Sequence, residues 1–179
     1  MTFEEMSLTR QSTRSFSNKE VEEEKVLKIC EVARLTPSAC NSQPWKLHIF
    51  NKDSENLADL RKACQVVGLN KFLDQVNNFI VVEQVFGNMS AKLGSKMGNN
   101  DLNSIDIGIL TAHICYAAHE LGLHTCIIGA FRDTVMQKAM NFNKNQKVRV
   151  VVAIGYETEN YPLRKKVRKD FEQLVEKHY

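Results

Sequence analysis

Two clusters of basic residues lie at opposite ends of the sequence and could together bind one anionic group. Arg10 and Arg14 flank Ser12 near the N-terminus. The second cluster, near the C-terminus, contains Arg164, Lys165, Lys166, Arg168 and Lys169. Arginine and lysine beside hydroxyls supply the charge-assisted hydrogen bonds that bind a phosphate monoester. Taken alone, each cluster is more often a solvated surface, but if the two converge in the fold they form a single phosphate site.

The segment 37–45 has the composition of a ligand-binding loop. It reads Pro-Ser-Ala-Cys-Asn-Ser-Gln-Pro-Trp and directly follows a predicted helix. Ser38, Asn41 and Gln43 offer hydrogen-bond donors and acceptors in irregular backbone, which suits recognition of the edge of a heterocycle. A rigid helix-to-strand connection with Trp45 as an apolar plug explains the same residues equally well, so both interpretations stay open.

Other catalytic patterns in the sequence are weaker. His119 and His124 are five residues apart, which places them about 140° apart around a helix rather than the ~40° of an i, i+4 pair, and Gly122 ends the helix between them. We therefore expect no metal site. Cys115 and His119 have the spacing of a thiolate–imidazole pair, but their apolar surroundings favour a structural cysteine. Neither glycine-rich nucleotide motif, G-x-G-x-x-G or G-x-x-x-x-G-K-[ST], occurs.

Length and composition indicate a single globular domain, 1–179. The 179 residues are 43% hydrophobic and 25% charged, and a net charge of +3 is too small to indicate a nucleic-acid or membrane-surface protein. Five widely spaced cysteines without a C-x-x-C pair do not form a disulfide framework or a zinc ribbon. The acidic N-terminus lacks the features of a secretory signal, and no segment has the ~20 apolar residues of a membrane span. We expect a reduced, cytoplasmic protein.

The hydrophobic spacing predicts an α+β domain in layers. Helices are predicted over about 20–35, 54–66, 106–121, 133–142 and 167–178, and strands around 47–49, 79–85, 126–130 and 148–154. The order of these elements lacks the regular alternation of a doubly wound sheet. The segment 86–105 is rich in glycine, asparagine and serine, which predicts a loop or lid.

Several segments, in this order along the chain, resemble the FMN-dependent nitroreductase family. They are 10–16, 37–45, the apolar run 106–122, 127–131, Gly155-Tyr156 and 166–168. The resemblance covers most of the chain, and the paired R-x-S-x-R and P-S-x-x-N-x-Q-P-W motifs are its most specific part. It implies a three-layer α-β-α sandwich with a mainly antiparallel central sheet. It also implies an intertwined homodimer with FMN at the subunit interface and a C-terminal extension, 156–179, that carries a basic phosphate-binding segment.

The resemblance also implies which residues bind the cofactor. Those expected at the phosphate and ribityl chain are Arg10, Gln11, Ser12, Arg14, Lys166 and Arg168; Gln11 replaces a basic residue that is common in the family. Those expected at the isoalloxazine ring are Pro37, Ser38, Ala39 and Asn41 of the other subunit, Ile128 and Gly129 near the N5 edge, and Asn70. No side chain is expected to act as catalytic acid or base, because the flavin carries the chemistry.

The activity implied by the resemblance is transfer of electrons from NAD(P)H to a small acceptor, such as a nitroaromatic or a quinone, by a ping-pong mechanism. The segment 86–105 is shorter than the helical excursion that longer family members place over the flavin. A non-catalytic FMN-binding or flavin-sensing protein is therefore the alternative. Nucleic-acid binding through the basic tail is disfavoured, because acidic residues dilute its charge and no aromatic platform accompanies it.

Overall fold

The computed structural model describes residues 1–179 and contains seven α-helices and four β-strands. The helices are α1 (Phe3–Thr9), α2 (Glu23–Ala33), α3 (Leu57–Cys64), α4 (Met89–Gly98), α5 (Leu102–Glu120), α6 (Asp133–Met140) and α7 (Phe171–Leu174). The strands are β1 (Trp45–Phe50), β2 (Asn78–Gln84), β3 (His124–Ile128) and β4 (Lys147–Gly155). Short 3-10 turns occupy Ala39–Asn41, Val66–Gly68 and Lys71–Gln75.

The four strands form one sheet in the order β1-β2-β4-β3, and each neighbouring pair is antiparallel. The predicted antiparallel sheet is therefore confirmed. The segment after α1 runs along the outer edge of β3, where the backbone N–H of Thr13 donates to the carbonyl oxygen of Thr125 at 3.0 Å. A parallel bridge joins Ser12 to Thr125 at the same place. The edge of the sheet is thus covered by the first basic motif.

The sheet is buried on both faces. Phe79 and Val81 of β2 pack in a core with α3 and α6, whereas Ile80 and Val82 pack in a second core with α2 and α5. All four side chains are fully buried. Since successive side chains of a strand point to opposite faces, burial of all four requires a helical layer on each side of the sheet. The predicted three-layer sandwich is confirmed.

The central helix α5 is longer than the sequence predicts. It begins at Leu102 rather than near residue 106, because the side chain of Asp101 accepts a hydrogen bond from the backbone N–H of Ser104 at 3.1 Å and caps the helix. It ends as predicted, where Gly122 adopts a left-handed φ of 73°. None of the seven helices combines the length and the apolarity needed to span a membrane.

The prediction of a loop over 86–105 is wrong for most of that segment, since α4 occupies its centre. Each glycine in a helix lowers its stability by about 1 kcal/mol relative to alanine. The glycines of this segment therefore favoured the prediction of a loop. Caps at both ends offset that cost. The side chain of Asn88 accepts from the backbone N–H of Ala91 at 2.9 Å, and Asn99 ends the helix with a left-handed φ of 51°.

The predicted helix over 167–178 is also mostly wrong. Only one turn, α7, forms there. Phe171, Leu174 and Val175, which supplied the helical spacing, are 63%, 63% and 42% exposed. An amphipathic helix is stabilised chiefly by packing of its apolar face, and much of this face is exposed. The segment before α7 instead runs back across the N-terminal motif.

Candidate functional site

The two basic clusters converge within one chain. The Lys166 ammonium donates to the carbonyl oxygen of Arg10, and the Arg164 guanidinium donates to the carbonyl oxygen of Ser12. The condition set by the sequence for a single phosphate site is therefore met. We define the cationic cradle as Arg10, Ser12, Arg14, Arg164, Lys166 and Arg168.

Gln11 fastens the C-terminal segment to the cradle. Its side-chain Nε2 donates to the carbonyl oxygen of Pro162 at 3.1 Å, and its Oε1 accepts from the backbone N–H of Arg164 at 3.0 Å. The backbone N–H of Arg14 likewise donates to the Tyr161 hydroxyl at 3.1 Å. The amide of Gln11 was expected to contact a cofactor, but here it is committed to positioning the tail.

The charge of the cradle is not neutralised within the chain. None of its cations forms a salt bridge, and Arg10 Nη1 is buried without a hydrogen-bond partner. Burial, followed by repulsion from Arg10, Arg168 and Arg164, lowers the pKa of Lys166. Leaving a buried charged donor unpaired is costly. The arrangement therefore suits an anion with several oxygen acceptors, such as a phosphate.

The edge of β3 leads from the cradle to an open stretch of backbone. Ser12 lies beside Thr125 at the start of the strand, and Ile128 ends it. Gly129 follows, and a Cβ placed on it would meet no atom within 4 Å. At about 3.3 Å per residue, this position is about 13 Å from Thr125. The backbone predicted to approach a ligand is accessible.

The segment 37–45, which we call the amide loop, is held in an irregular conformation. Cys40, Asn41 and Gln43 have left-handed φ values of 51°, 50° and 46°. The Ser38 hydroxyl accepts from the backbone N–H of Gln43 at 2.9 Å, which closes the loop on itself. Such φ values are uncommon outside glycine, so the loop is strained and specifically shaped.

A buried carboxylate anchors the amide loop to α5. Both oxygens of Asp106 lie 3.2 Å from the backbone nitrogen of Ala39 and accept its hydrogen. Asp106 is only 4% exposed, and the element that carries it, α5, packs with α2 on one face of the sheet. The loop is therefore positioned by the longest helix of the domain.

The helix α4 is fastened to the amide loop as well. The Asn88 side chain donates to the carbonyl oxygen of Cys40 at 2.8 Å, and the Asn88 backbone N–H donates to the Ser42 hydroxyl at 3.2 Å. Phe86 and Met89 beside this junction are 94% and 82% exposed. The role of this segment as a lid stays a prediction, but its base is attached to the loop.

The cradle and the amide loop lie at opposite ends of α5. Asp106 holds the loop near one end, whereas His119 near the other end contacts Thr9, with Nε2 2.7 Å from Oγ1. The two anchors are thirteen positions apart in sequence, which corresponds to about 20 Å along a helix. One chain thus assembles the predicted phosphate contacts but keeps apart from them the predicted ring contacts Pro37, Ser38, Ala39 and Asn41.

Two further predicted residues have clear local roles. The Asn70 side chain donates to the carbonyl oxygen of Cys64 at 3.0 Å and so caps the end of α3. Its amide is therefore already engaged within the chain. Cys115 is buried, and burial raises the pKa of its thiol, as expected for a structural cysteine rather than a nucleophile.

Sequence reasoning missed three positioning residues: Asp106, Tyr161 and Asn88. A signal for Asp106 was present, because it is a lone carboxylate in an otherwise apolar run of α5. A buried charge in such a run needs a partner, and the partner is the amide loop. Tyr161 and Asn88 lie in segments without periodicity, where the sequence offers no comparable signal.

Comparison with known proteins agrees with the motifs. The model of the Nitroreductase family matches residues 8–71 and 64–156. A protein of Archaeoglobus fulgidus, provisionally named NADH dehydrogenase/NAD(P)H nitroreductase, is 29% identical over 155 residues, which cover 84% of this chain and 83% of that protein.

Solved structures share the fold over nearly the whole chain. An FMN-dependent nitroreductase of Clostridium difficile is 26% identical, with a TM-score of 0.75 over 97% of this chain and 98% of the other. A nitroreductase family protein from Clostridium difficile 630 superposes with a TM-score of 0.80 at 24% identity, over 100% of this chain and 99% of the other. The layers and the antiparallel sheet are therefore those of these proteins.

Proposed function

This chain belongs to the nitroreductase family, and from that premise we propose that it is an FMN-dependent oxidoreductase that passes electrons from NAD(P)H to a small acceptor. The observation that carries the proposal is the cationic cradle, in which a buried Arg10 nitrogen has no partner and no carboxylate balances the charge. A phosphate monoester supplies the missing acceptors and the missing negative charge.

The residues of the cradle fit the phosphate end of FMN. Arg10, Arg14 and Arg168 would hold its oxygens with guanidinium groups, and Lys166 would add a point charge. The edge of β3 would carry the ribityl chain to Gly129, where open space permits close approach of a ring to the backbone. Gln11 and Arg164 would act by holding the two ends of the cradle together.

The bound flavin would accept electrons from one substrate and donate them to the next. The chain contributes binding and orientation. Backbone N–H groups around Gly129 would donate to one edge of the ring, and the amide and hydroxyl groups of Asn41 and Ser38 would read its polar edge. No acid or base side chain is assigned to the reaction.

We extend the proposal to a homodimer in which the amide loop serves the flavin of the partner subunit. Support comes from the separation of about 20 Å between the anchors of the loop and the cradle in one chain. Support also comes from an apolar groove of about 640 Å³ along α1 and α5, lined by Phe3, Ile105, Ile109 and Tyr116 among others. Exposed apolar surface of this kind marks interaction sites.

A single shared site would serve both substrates in turn. In a ping-pong reaction NAD(P)H leaves before the acceptor binds, so both can use the same site. Such a reaction needs no second nucleotide-binding fold, and the chain has no glycine-rich nucleotide motif. The proposed acceptors are flat molecules such as nitroaromatics and quinones, which suit the exposed apolar side chains Phe86 and Met89 next to the amide loop.

The test is anaerobic reduction of the purified protein after incubation with FMN. We expect a yellow protein that NADH or NADPH bleaches, and whose colour returns when a nitroaromatic or quinone is added. A protein that gains no flavin absorbance would refute the proposal. A yellow protein that neither nucleotide bleaches would instead favour a flavin-binding or flavin-sensing protein, an alternative motivated by the short α4.

A further inference from the structure

A set of polar side chains behind the cationic cradle has no role in the proposed function. It consists of His119 near the end of α5, His124 at the start of β3 and Glu157 just after β4. The two imidazole rings are 6.1 Å apart in an edge-to-face arrangement, and His124 Nε2 is 3.4 Å from Glu157 Oε1. We call these three residues the histidine cluster.

The histidine cluster contacts the cradle through Thr9, which precedes Arg10. The Thr9 hydroxyl donates its single hydrogen to the carbonyl oxygen of Glu5 at 2.7 Å. His119 Nε2, 2.7 Å from the same hydroxyl oxygen, must therefore donate to it. The neutral ring consequently carries its hydrogen on Nε2, so Nδ1 is the atom that can accept a proton.

Three polar atoms in this region lack partners. Arg10 Nη1, His124 Nδ1 and Glu157 Oε2 are each buried without a hydrogen bond. Buried polar atoms are paired in the great majority of cases. Together they include a donor, an acceptor and a titratable nitrogen, so the region is arranged to respond when charge changes in the cradle.

Burial, assisted at His119 by neighbouring charges, favours the neutral form of both histidines when the cradle is empty. Burial, followed by His124, Arg10 and Lys166, lowers the pKa of His119, and Glu157 opposes this effect. Burial also lowers the pKa of His124 and raises the pKa of Glu157. The cations that act on His119 are thus Arg10 from the N-terminal segment and Lys166 from the C-terminal segment, and a phosphate dianion would offset their charge.

We propose that the histidine cluster makes FMN binding proton-linked: when the phosphate dianion occupies the cradle, His119 or His124 takes up a proton from solvent. The proposal rests on the proposed function, since it requires FMN in the cradle. His119 and His124 are positioning residues, because they act on the phosphate through Arg10 and its neighbours. Affinity for the FMN dianion then falls as pH rises from the histidine pKa in the empty protein to the histidine pKa in the complex.

The test is calorimetric titration of the protein with FMN at pH 7.5, in two phosphate-free buffers that differ in heat of ionisation. We expect net proton uptake with FMN and none with riboflavin, which lacks the phosphate. The second pKa of a phosphate monoester is about 6, so binding of its dianion can only release protons. We also expect the dissociation constant for FMN to rise as pH increases through the histidine pKa in the complex. The total rise, from the histidine pKa in the empty protein to that in the complex, is about tenfold for each unit that FMN adds to the histidine pKa.

Variants identify the groups that take up the proton. His119→Gln and His124→Gln should each reduce the uptake, and the double variant should abolish it, whereas His178→Gln in the exposed tail should leave it unchanged. Uptake that persists in the double variant would assign the proton to Lys166 and overturn the proposal. Binding of FMN by the native protein without net uptake would overturn it too.

A second measurement does not depend on any variant. The histidine C–H resonances of the native protein, followed by NMR against pH, should show a higher pKa for His119 or His124 with FMN than with riboflavin. An unchanged pKa for both would overturn the proposal. If neither flavin binds, the proposed function fails, and the linkage fails with it; binding without a histidine response refutes the linkage alone.

Discussion

The cationic cradle and the amide loop are both irregular and polar, but they are held in opposite ways. The cradle carries uncompensated charge and is closed by contacts between the two ends of the chain, such as that of Gln11 with Arg164. The amide loop is neutral, closes on itself through Ser38, and depends on one buried carboxylate, Asp106. The difference shows that one domain can hold two irregular polar segments by separate means, one through contacts between the chain ends and one through a buried carboxylate.

The contrast predicts that substitutions in the two regions will affect flavins with and without a phosphate differently. Substitutions in the cradle should weaken binding of FMN but not of riboflavin. Damage to the amide loop or to the end of β3 should weaken both ligands equally. Fluorescence titration with the two flavins measures this ratio for each variant.

The largest effect is expected for Arg10→Ala. Loss of a buried charge-assisted contact should cost about 2 kcal/mol of FMN affinity, or roughly 30-fold, with riboflavin affinity unchanged. Arg168→Ala, at a more exposed cation, should have the same selectivity with a smaller loss. Arg34→Ala at the exposed end of α2 is the control. Equal losses for both flavins would mean that Arg10 does not face the phosphate.

Gly129→Val tests the open end of β3. Both flavins should bind on the order of tenfold more weakly, or about 1.4 kcal/mol, because the new side chain fills the space that we assign to the ring. The thermal unfolding temperature should not change for Gly129→Ala, since a Cβ at this position meets no atom of the chain within 4 Å. Gly129→Ala should give a smaller loss of the same kind. Undiminished flavin binding in the valine variant would show that the flavin ring does not lie at this position.

Asp106→Asn tests the anchor of the amide loop. Replacing a charge-assisted acceptor by a neutral one should lower the free energy of unfolding by about 1 kcal/mol. Affinities for FMN and riboflavin should fall by a common factor. Chemical denaturation measures the first effect, and Asp101→Asn at the exposed cap of α5 is the matched control. A loss confined to FMN would contradict the assignment of the loop to the ring.

The smallest effect is expected for Gln11→Ala. Two neutral hydrogen bonds to the C-terminal segment and one longer bond from the Arg164 guanidinium are lost, but no direct contact with the phosphate, so FMN affinity should fall by about 0.5–1 kcal/mol. Limited trypsin digestion should cut faster at Arg164, Lys165 and Lys166, because the tail detaches more often. Gln173→Ala in α7 provides the comparison. A cleavage rate equal to that of the native protein would show that Gln11 does not fasten the tail.

The strands and the cradle could be predicted because each depends on residue types that are recognisable in the sequence. For the cradle this holds although its two clusters lie at opposite ends of the chain. The β-branched run from Phe79 to Val82 predicts a buried strand, and the structure has one there. The basic clusters predict a phosphate site only if they meet, and Lys166 contacts Arg10. Clustering of basic residues is visible in a sequence, so the cationic cradle could be anticipated from residue types, whereas the lack of acidic partners became visible only in the structure.

The failures have a different cause. The helix α4 was missed because its glycines argue against a helix, while its stability comes from caps at Asn88 and Asn99, residues that are equally common in turns. The tail was predicted as a helix from the spacing of Phe171 and Leu174, but spacing does not reveal whether a surface exists to pack against. The amide loop depends on Asp106, which is sixty-seven residues away from Ala39 in sequence. Local sequence patterns do not predict a contact between residues so far apart.

The contact between residues 10–14 and 161–168 has a consequence for how the protein is made. A chain emerging from the ribosome folds from its N-terminal part first, so the sheet and both cores can form before the cradle is closed. The cradle can close only after residues 161–168 have left the exit tunnel. Tight binding of FMN would therefore be a late event in synthesis, and a chain cut short before Arg164 would fold but bind the phosphate of FMN more weakly.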